Sequence, residues 1–149
     1  MIPNTKLQEA VAILDNVAPI SQGAGSVTSG WVSMANFHRI AAIIQTGVLG
    51  ASATLDAKLQ QATDSSGTGV KDITGKALVQ IVKATGDGKQ AMLEVADAEL
   101  DTANGFSYVR LSMTVGTAAS LVSAIVLGFN ARFMPASVLN NATAVQLVG

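Results

Sequence analysis

A chain of 149 residues with no cysteine, a net charge of −1 and 13% charged side chains suits one domain around a single core, and rules out disulfides and thiolate metal sites. Charge is about half as frequent as the ~25% of an ordinary soluble domain, and no basic cluster offers itself to nucleic acid. The longest apolar runs, IAAII at residues 40–44 and LVSAIVLGF at 121–129, fall well short of the ~20 residues of a spanning helix, so no membrane partner is expected.

The N-terminal stretch MIPNTKLQEAVAILDN has one lysine ahead of its first acidic residue and no long apolar segment, so a secretory signal is not expected there. Leu7, Ala10, Val11 and Leu14 stand at helical spacing behind Asn4, a residue suited to capping, yet AVAIL serves equally well as a strand. Pro19 and the Gly- and Ser-rich SQGAGSVTSG follow. Residues 1–30 therefore read as an N-terminal arm joined to the body at Trp31, with a short strand and loop on the same domain as the alternative.

From Trp31 short strands alternate with turn signals. WVSMANF comes first, then RIAAIIQTG, which is apolar on both faces and so belongs at the centre of a sheet or under a neighbour. In ATLDAKLQQA, Leu55, Ala57 and Leu59 alternate with polar residues, and the doubled Gln60 and Gln61 predict a bulge. DSSGTG is a turn, and VKDITG a short strand. KALVQIVKA puts Ala77, Val79 and Ile81 on one side, although DITGKALVQIV would also serve as a helix. TGDGK is a tight turn, QAMLEVADAEL turns Ala91, Leu93 and Val95 inward, and DTANGF carries the Asn-Gly signal of a hairpin. FSYVRLSMTVG sets Val109, Leu111, Met113 and Val115 opposite Tyr108, Arg110, Ser112 and Thr114, and SLVSAIVLGFNAR completes the set. About eight strands with turns every 8 to 12 residues predict an all-β, antiparallel β-sandwich of jelly-roll or Greek-key type over residues 31–132.

The last segment, FMPASVLNNATAVQLVG at 133–149, is uncharged but contains Val138, Leu139, Val145, Leu147 and Val148, and reads as a C-terminal docking tail. It should pack on its own sandwich or exchange onto a neighbouring subunit. Thirteen of the nineteen charged residues lie from Asp56 to Asp101, none lies from Asn16 to His38, and only Arg132 follows Arg110. Such segregation predicts one solvated region and other surfaces that face protein, unless Ser, Thr, Asn and Gln solvate the remainder.

Chemistry is hard to find in this sequence. His38, the only histidine, has no adjacent acid or nucleophile and reads as structural. Asp56, Asp64, Asp72, Asp87, Asp97, Glu99 and Asp101 lack the spacing of a calcium loop, and DAELD reads as a solvated acidic edge. Gly75-Lys76 and Gly88-Lys89 each miss two positions of a phosphate-binding loop. Trp31, Tyr108 and the phenylalanines at 37, 106, 129 and 133 lack basic partners and read as packing residues rather than a stacking platform. No catalytic, metal or cofactor residue is expected, and the chain is not expected to be an enzyme.

The stretches SGWVSMANFHRIAAII, ATLDAKLQQATDSSGTGVKDITGKALVQI and NGFSYVRLSMTVG…VSAIVLGFNAR, spanning nearly all of residues 29–132, resemble small virion proteins encoded in the head-gene clusters of tailed bacteriophages. They are similar to the cement, or decoration, proteins of the capsid exterior. The resemblance implies a structural protein that clamps adjacent major capsid subunits, with that subunit and further copies of itself, as a homodimer or homotrimer, for partners. Residues 1–30 and 133–149 are the expected contact elements. Alternatives are another head or tail component, or a jelly-roll module that binds carbohydrate or a host surface.

Overall fold

The computed structural model describes residues 4–149, and they form two antiparallel sheets packed face to face. Ten strands follow in chain order: β1 (Val11–Gln22), β2 (Gly25–Thr28), β3 (Val32–Ser33), β4 (Phe37–Thr46), β5 (Thr54–Ala62), β6 (Lys71–Ala77), β7 (Ile81–Val82), β8 (Gln90–Ala96), β9 (Tyr108–Gly116) and β10 (Ser120–Ala131). The first sheet has the order β1-β10-β4-β8. The second runs β2-β9-β5-β6, with β3 also on β9 and β7 also on β5.

β2 and β3 are two halves of one interrupted strand along β9, through Thr28 opposite Ser112 and Val32 opposite Val109. β6 and β7 share β5 in the same way. Eight strand positions therefore divide between two four-strand layers, the chain crossing from one layer to the other at every step except the β5 to β6 hairpin, which is the jelly-roll arrangement. Closing it requires the first and last strands to lie side by side, and β1 pairs with β10 from Val11 opposite Phe129 to Gln22 opposite Ser120.

The core sits between the layers and follows the period of two. Ile40, Ala42 and Ile44 of β4, Leu55, Ala57 and Leu59 of β5, and Val122, Ala124 and Val126 of β10 are all buried. Val109, Leu111, Met113 and Val115 of β9 are buried as their alternation predicts, and so are Leu93 and Val95 of β8. β4 lies at the centre of its sheet, between β10 and β8, with Phe37, Ile40, Ala41, Ala42 and Ile44 buried.

Several expectations are corrected. From Val11 onward the stretch read as an arm supplies β1 and β2, and the boundary expected at Trp31 falls inside the interrupted strand β2/β3. Burial of Ala12 and Val17 against the rest of the core holds β1 in place. Helix there is confined to one turn, Leu7–Ala10, and the DITGKALVQIV segment is extended where it pairs. On the β9 side no bulge forms at Gln60–Gln61, because β5 pairs with β9 without interruption from Thr54 to Ala62. Gln61 instead points inward, where its side-chain oxygen accepts the Asp101 N–H at 2.9 Å. The register shift lies on the β6 side, where Lys58 faces Ala77 and Gln60 faces Asp72. That break turns Val79 out to solvent and puts Ile73, Leu78 and Ile81 on the core instead of Ala77 and Val79.

Asn104-Gly105 makes a turn but not a hairpin. Gly105 takes φ +80° and closes a 3-10 turn, yet the flanking β8 and β9 belong to different sheets. DSSGTG does join paired strands. The Asp64 side chain accepts the Ser66 and Thr68 N–H groups, and Gly67 turns at φ +86° where a Cβ would come within 2.6 Å of Trp31 Nε1.

Candidate interaction face

The two sheets show solvent opposite characters. On the second sheet, Thr54, Asp56, Lys58 and Gln60 of β5 alternate with buried residues, as do Tyr108, Arg110 and Thr114 of β9. Polar neighbours close this surface. Ser26 and Thr114 share a hydrogen bond of 2.8 Å, Lys58 Nζ donates to Asp72 at 2.7 Å, and Arg110 Nε donates to Gln60 at 3.0 Å.

The first sheet turns out Leu121, Ser123, Ile125, Leu127 and Phe129 from β10, which has no charged residue. Across the pairing, Ile125 stands beside Ile43 of β4, and Ile43 beside Met92 of β8. Leu127 stands between Ile13 of β1 and Ala41 of β4. Leu121 and Ile125 are each 47% exposed and Met92 59%, and their adjacency makes a contiguous apolar patch of the kind that marks an interaction surface. The charges on the four strands are Asp15, Arg39 and Glu94. Arg39 and Glu94 neutralise each other, and Asp15 accepts the Gly30 N–H at the β1 edge.

The C-terminal segment extends this side. A 3-10 turn, Ala136–Leu139, packs on Ala12, Leu14 and Phe37. Asn140 then accepts the Ile13 N–H through Oδ1 at 2.6 Å, the Asn141 N–H donates to the Ile13 carbonyl at 2.7 Å, and Asn141 Nδ2 donates to the Leu14 carbonyl at 3.1 Å. The two asparagines thereby occupy the free edge of β1, where another strand could otherwise add. Beyond them the chain end borders a groove of about 440 Å³ lined by Leu7, Val11, Ile13, Leu127, Leu147 and Val148. Phe133, Met134, Val138 and Val145 remain exposed.

The residues weighed for chemistry are placed as follows. His38, at the start of β4, carries a proton on Nδ1 toward Asp97 Oδ2 at 3.0 Å, while Nε2 faces the Arg132 guanidinium at 3.3 Å. Arg132 also donates to Asp97 at 2.7 Å. The acid that local sequence did not supply thus comes from 59 residues away, and the trio ties the start of β4, the β8–β9 connection and the end of β10 together. The His38 hydrogen bond, together with Arg132, holds the Asp97 carboxyl below the usual range.

DAELD does not gather its carboxylates. Asp97 serves His38 and Arg132, Glu99 pairs with Lys76, and Asp101 pairs with Lys71. Among the described residues no three His, Asp or Glu side chains converge as a metal site would require. Asp87, in the Gly88-Lys89 turn, accepts the Leu49 N–H at 2.9 Å and a Lys83 hydrogen bond at 2.6 Å, which fixes the turn to the β4–β5 connection. Gly75 takes φ +75° inside β6, so Gly75-Lys76 is not followed by a helix. Phe37 and Phe106 are buried, and Trp31 is covered by the Arg110 guanidinium 4.6 Å from its ring centre.

No protein-family model matches the chain, and no curated protein is significantly similar to it. Among solved structures, a protein of the cowpea mosaic virus top component, a naturally occurring empty particle, aligns over 88% of this chain and 89% of its own at 9% identity and TM-score 0.43. A chain of Triatoma virus aligns over 95% and 74% at 11% identity and TM-score 0.47. A xylan-binding domain from Paenibacillus barcinonensis aligns over 70% and 78% at 9% identity and TM-score 0.41.

Proposed function

We propose that this chain is a structural virion protein that binds the outer surface of a phage capsid and clamps neighbouring major capsid subunits, as cement or decoration, without catalysis. The observation that carries the reading is the division of the molecule into a charged, internally hydrogen-bonded sheet and an apolar one extended by an uncharged tail. A molecule built in this way gains free energy by burying one side against protein while the other stays in water. The His38, Asp97 and Arg132 trio supports the same reading, since its groups are engaged in joining elements.

The shell contacts are assigned to residues 1–30, of which 1–3 lie outside the described residues, and to 133–149, above all to Phe133, Met134 and Val138, which stand 74%, 53% and 75% exposed. The resemblance of residues 29–132 to phage head-gene products adds the partner, the major capsid subunit. Each copy that bridges two subunits forms its second contact at high effective concentration, so modest individual contacts hold a shell firmly. Cryo-electron microscopy of the particle that carries the chain tests this. Hundreds of copies on the outer lattice are expected, whereas a dozen or fewer at one vertex would overturn the reading in favour of a head-completion or tail part.

A further inference from the structure

We infer that the outer face of the β1-β10-β4-β8 sheet is the seat of a second copy of this chain, packed sheet against sheet about a two-fold axis. The inference rests on the structural reading above and names what covers the apolar face, leaving residues 133–149 and the part of residues 1–30 outside β1 for the shell.

Size is the first argument. Strands of 12, 12, 10 and 7 residues, at ~3.4 Å per residue and ~4.8 Å between strands, present a face of roughly 670 Å². Two such faces would bury at most roughly 1,300 Å², less where the chain's own Leu147 and Val148 flank Ile13 and Leu127, which puts the contact at the lower end of the ~1,200–2,000 Å² of specific stable interfaces.

Charge is the second. A two-fold contact brings each patch against its own copy, so any unpaired charge on it would meet its like. Here the central row, Ile125, Ile43 and Met92, has none, and Arg39 and Glu94 are already neutralised within one copy. Its one exposed ion pair, Arg39 with Glu94, balances in sign, so the face offers no net charge by which a different protein would be selected. A net charge of −1 adds little repulsion between copies. Two twisted sheets pack in this way ~10 Å apart with interdigitating side chains, as the two sheets do inside each copy.

The test is sedimentation of the full chain, with and without charge placed on the face. Wild type should sediment at twice the 15.1 kDa chain mass. Ile125→Asp, and independently Leu121→Lys, should each weaken association at least ~100-fold, since each buries a charge against an apolar neighbour. Thr114→Lys, on the opposite sheet, should leave the dimer intact. Far-UV circular dichroism identifies any variant that fails to fold, and the second substitution then stands in for the first. A wild-type monomer at tens of micromolar overturns the inference, as does a dimer that survives both face substitutions. Shell binding separates this from the proposed function. A wild-type monomer that coats capsid shells sinks the dimer alone, and a dimer that binds no shell sinks the cement reading alone.

Discussion

Six carboxylates illustrate how single residues tie this molecule together. Asp64, Asp72, Asp87, Asp97, Glu99 and Asp101 are all held below their ordinary values, by Thr68, by Lys58 and Gln60, by Lys83 and the Leu49 amide, by His38 and Arg132, by Lys76, and by Lys71 and Asn104 respectively. A carboxyl with a depressed folded-state pKa stabilises the fold above its unfolded value, and loses that contribution as pH falls through the folded one. The midpoint of thermal unfolding should therefore be nearly flat from about pH 7 to about pH 5 and fall below about pH 4. A midpoint unchanged down to about pH 3 would contradict these assignments. Gln61 belongs to the same scale but is buried, and its oxygen is the acceptor for the Asp101 N–H. Gln61→Leu should cost about 1–3 kcal/mol in denaturant unfolding, the usual penalty for orphaning a buried donor.

At the scale of elements, β1 is an edge strand, guarded by the chain's own tail. The Ile13 N–H and carbonyl and the Leu14 carbonyl are met by Asn140 and Asn141, so the edge presents no open ladder there. Replacing both asparagines with alanine removes two side-chain hydrogen bonds to β1, worth about 1–2 kcal/mol together. Hydrogen exchange at the Ile13 amide should speed up, and proteolysis should reach residues 133–149 first, with the sandwich itself still folded. Equal protection of Ile13 in the double variant would show that the Ala136–Leu139 turn holds the tail by packing alone.

At the scale of the whole molecule, β10 lies between β1 and β4, so the last strand to be made completes the first sheet. A chain lacking residues 120–149 leaves β1 without a partner and the core without Val122, Ala124 and Val126. It should show no cooperative unfolding transition, and a folded truncation would mean that the second sheet carries the stability alone. The same pairing explains the two-sidedness of the surface. The sparsely charged stretches near the two ends of the sequence are not separate arms reaching outward; they become β1, whose one charge is Asp15, and the uncharged β10, side by side in one sheet.

What the sequence determined by itself is the direction of side chains within each strand. Val109, Leu111, Met113 and Val115 face inward because a pleat alternates every residue, a rule that needs only neighbours in the chain. The absence of charge from residues 16–38 and 133–149 is likewise legible in the chain alone. Which strands pair was decided only in three dimensions. Asn104-Gly105 specifies a left-handed turn and not the sheet its flanks enter, and the doubled glutamine at 60–61 leaves the β9 ladder continuous while the register breaks on the β6 side. Asp97 reaches His38 across 59 residues, and Val11 reaches Phe129 across the whole fold. Such contacts form because closing two sheets around one core buries the most apolar surface, a condition that no short stretch of sequence expresses.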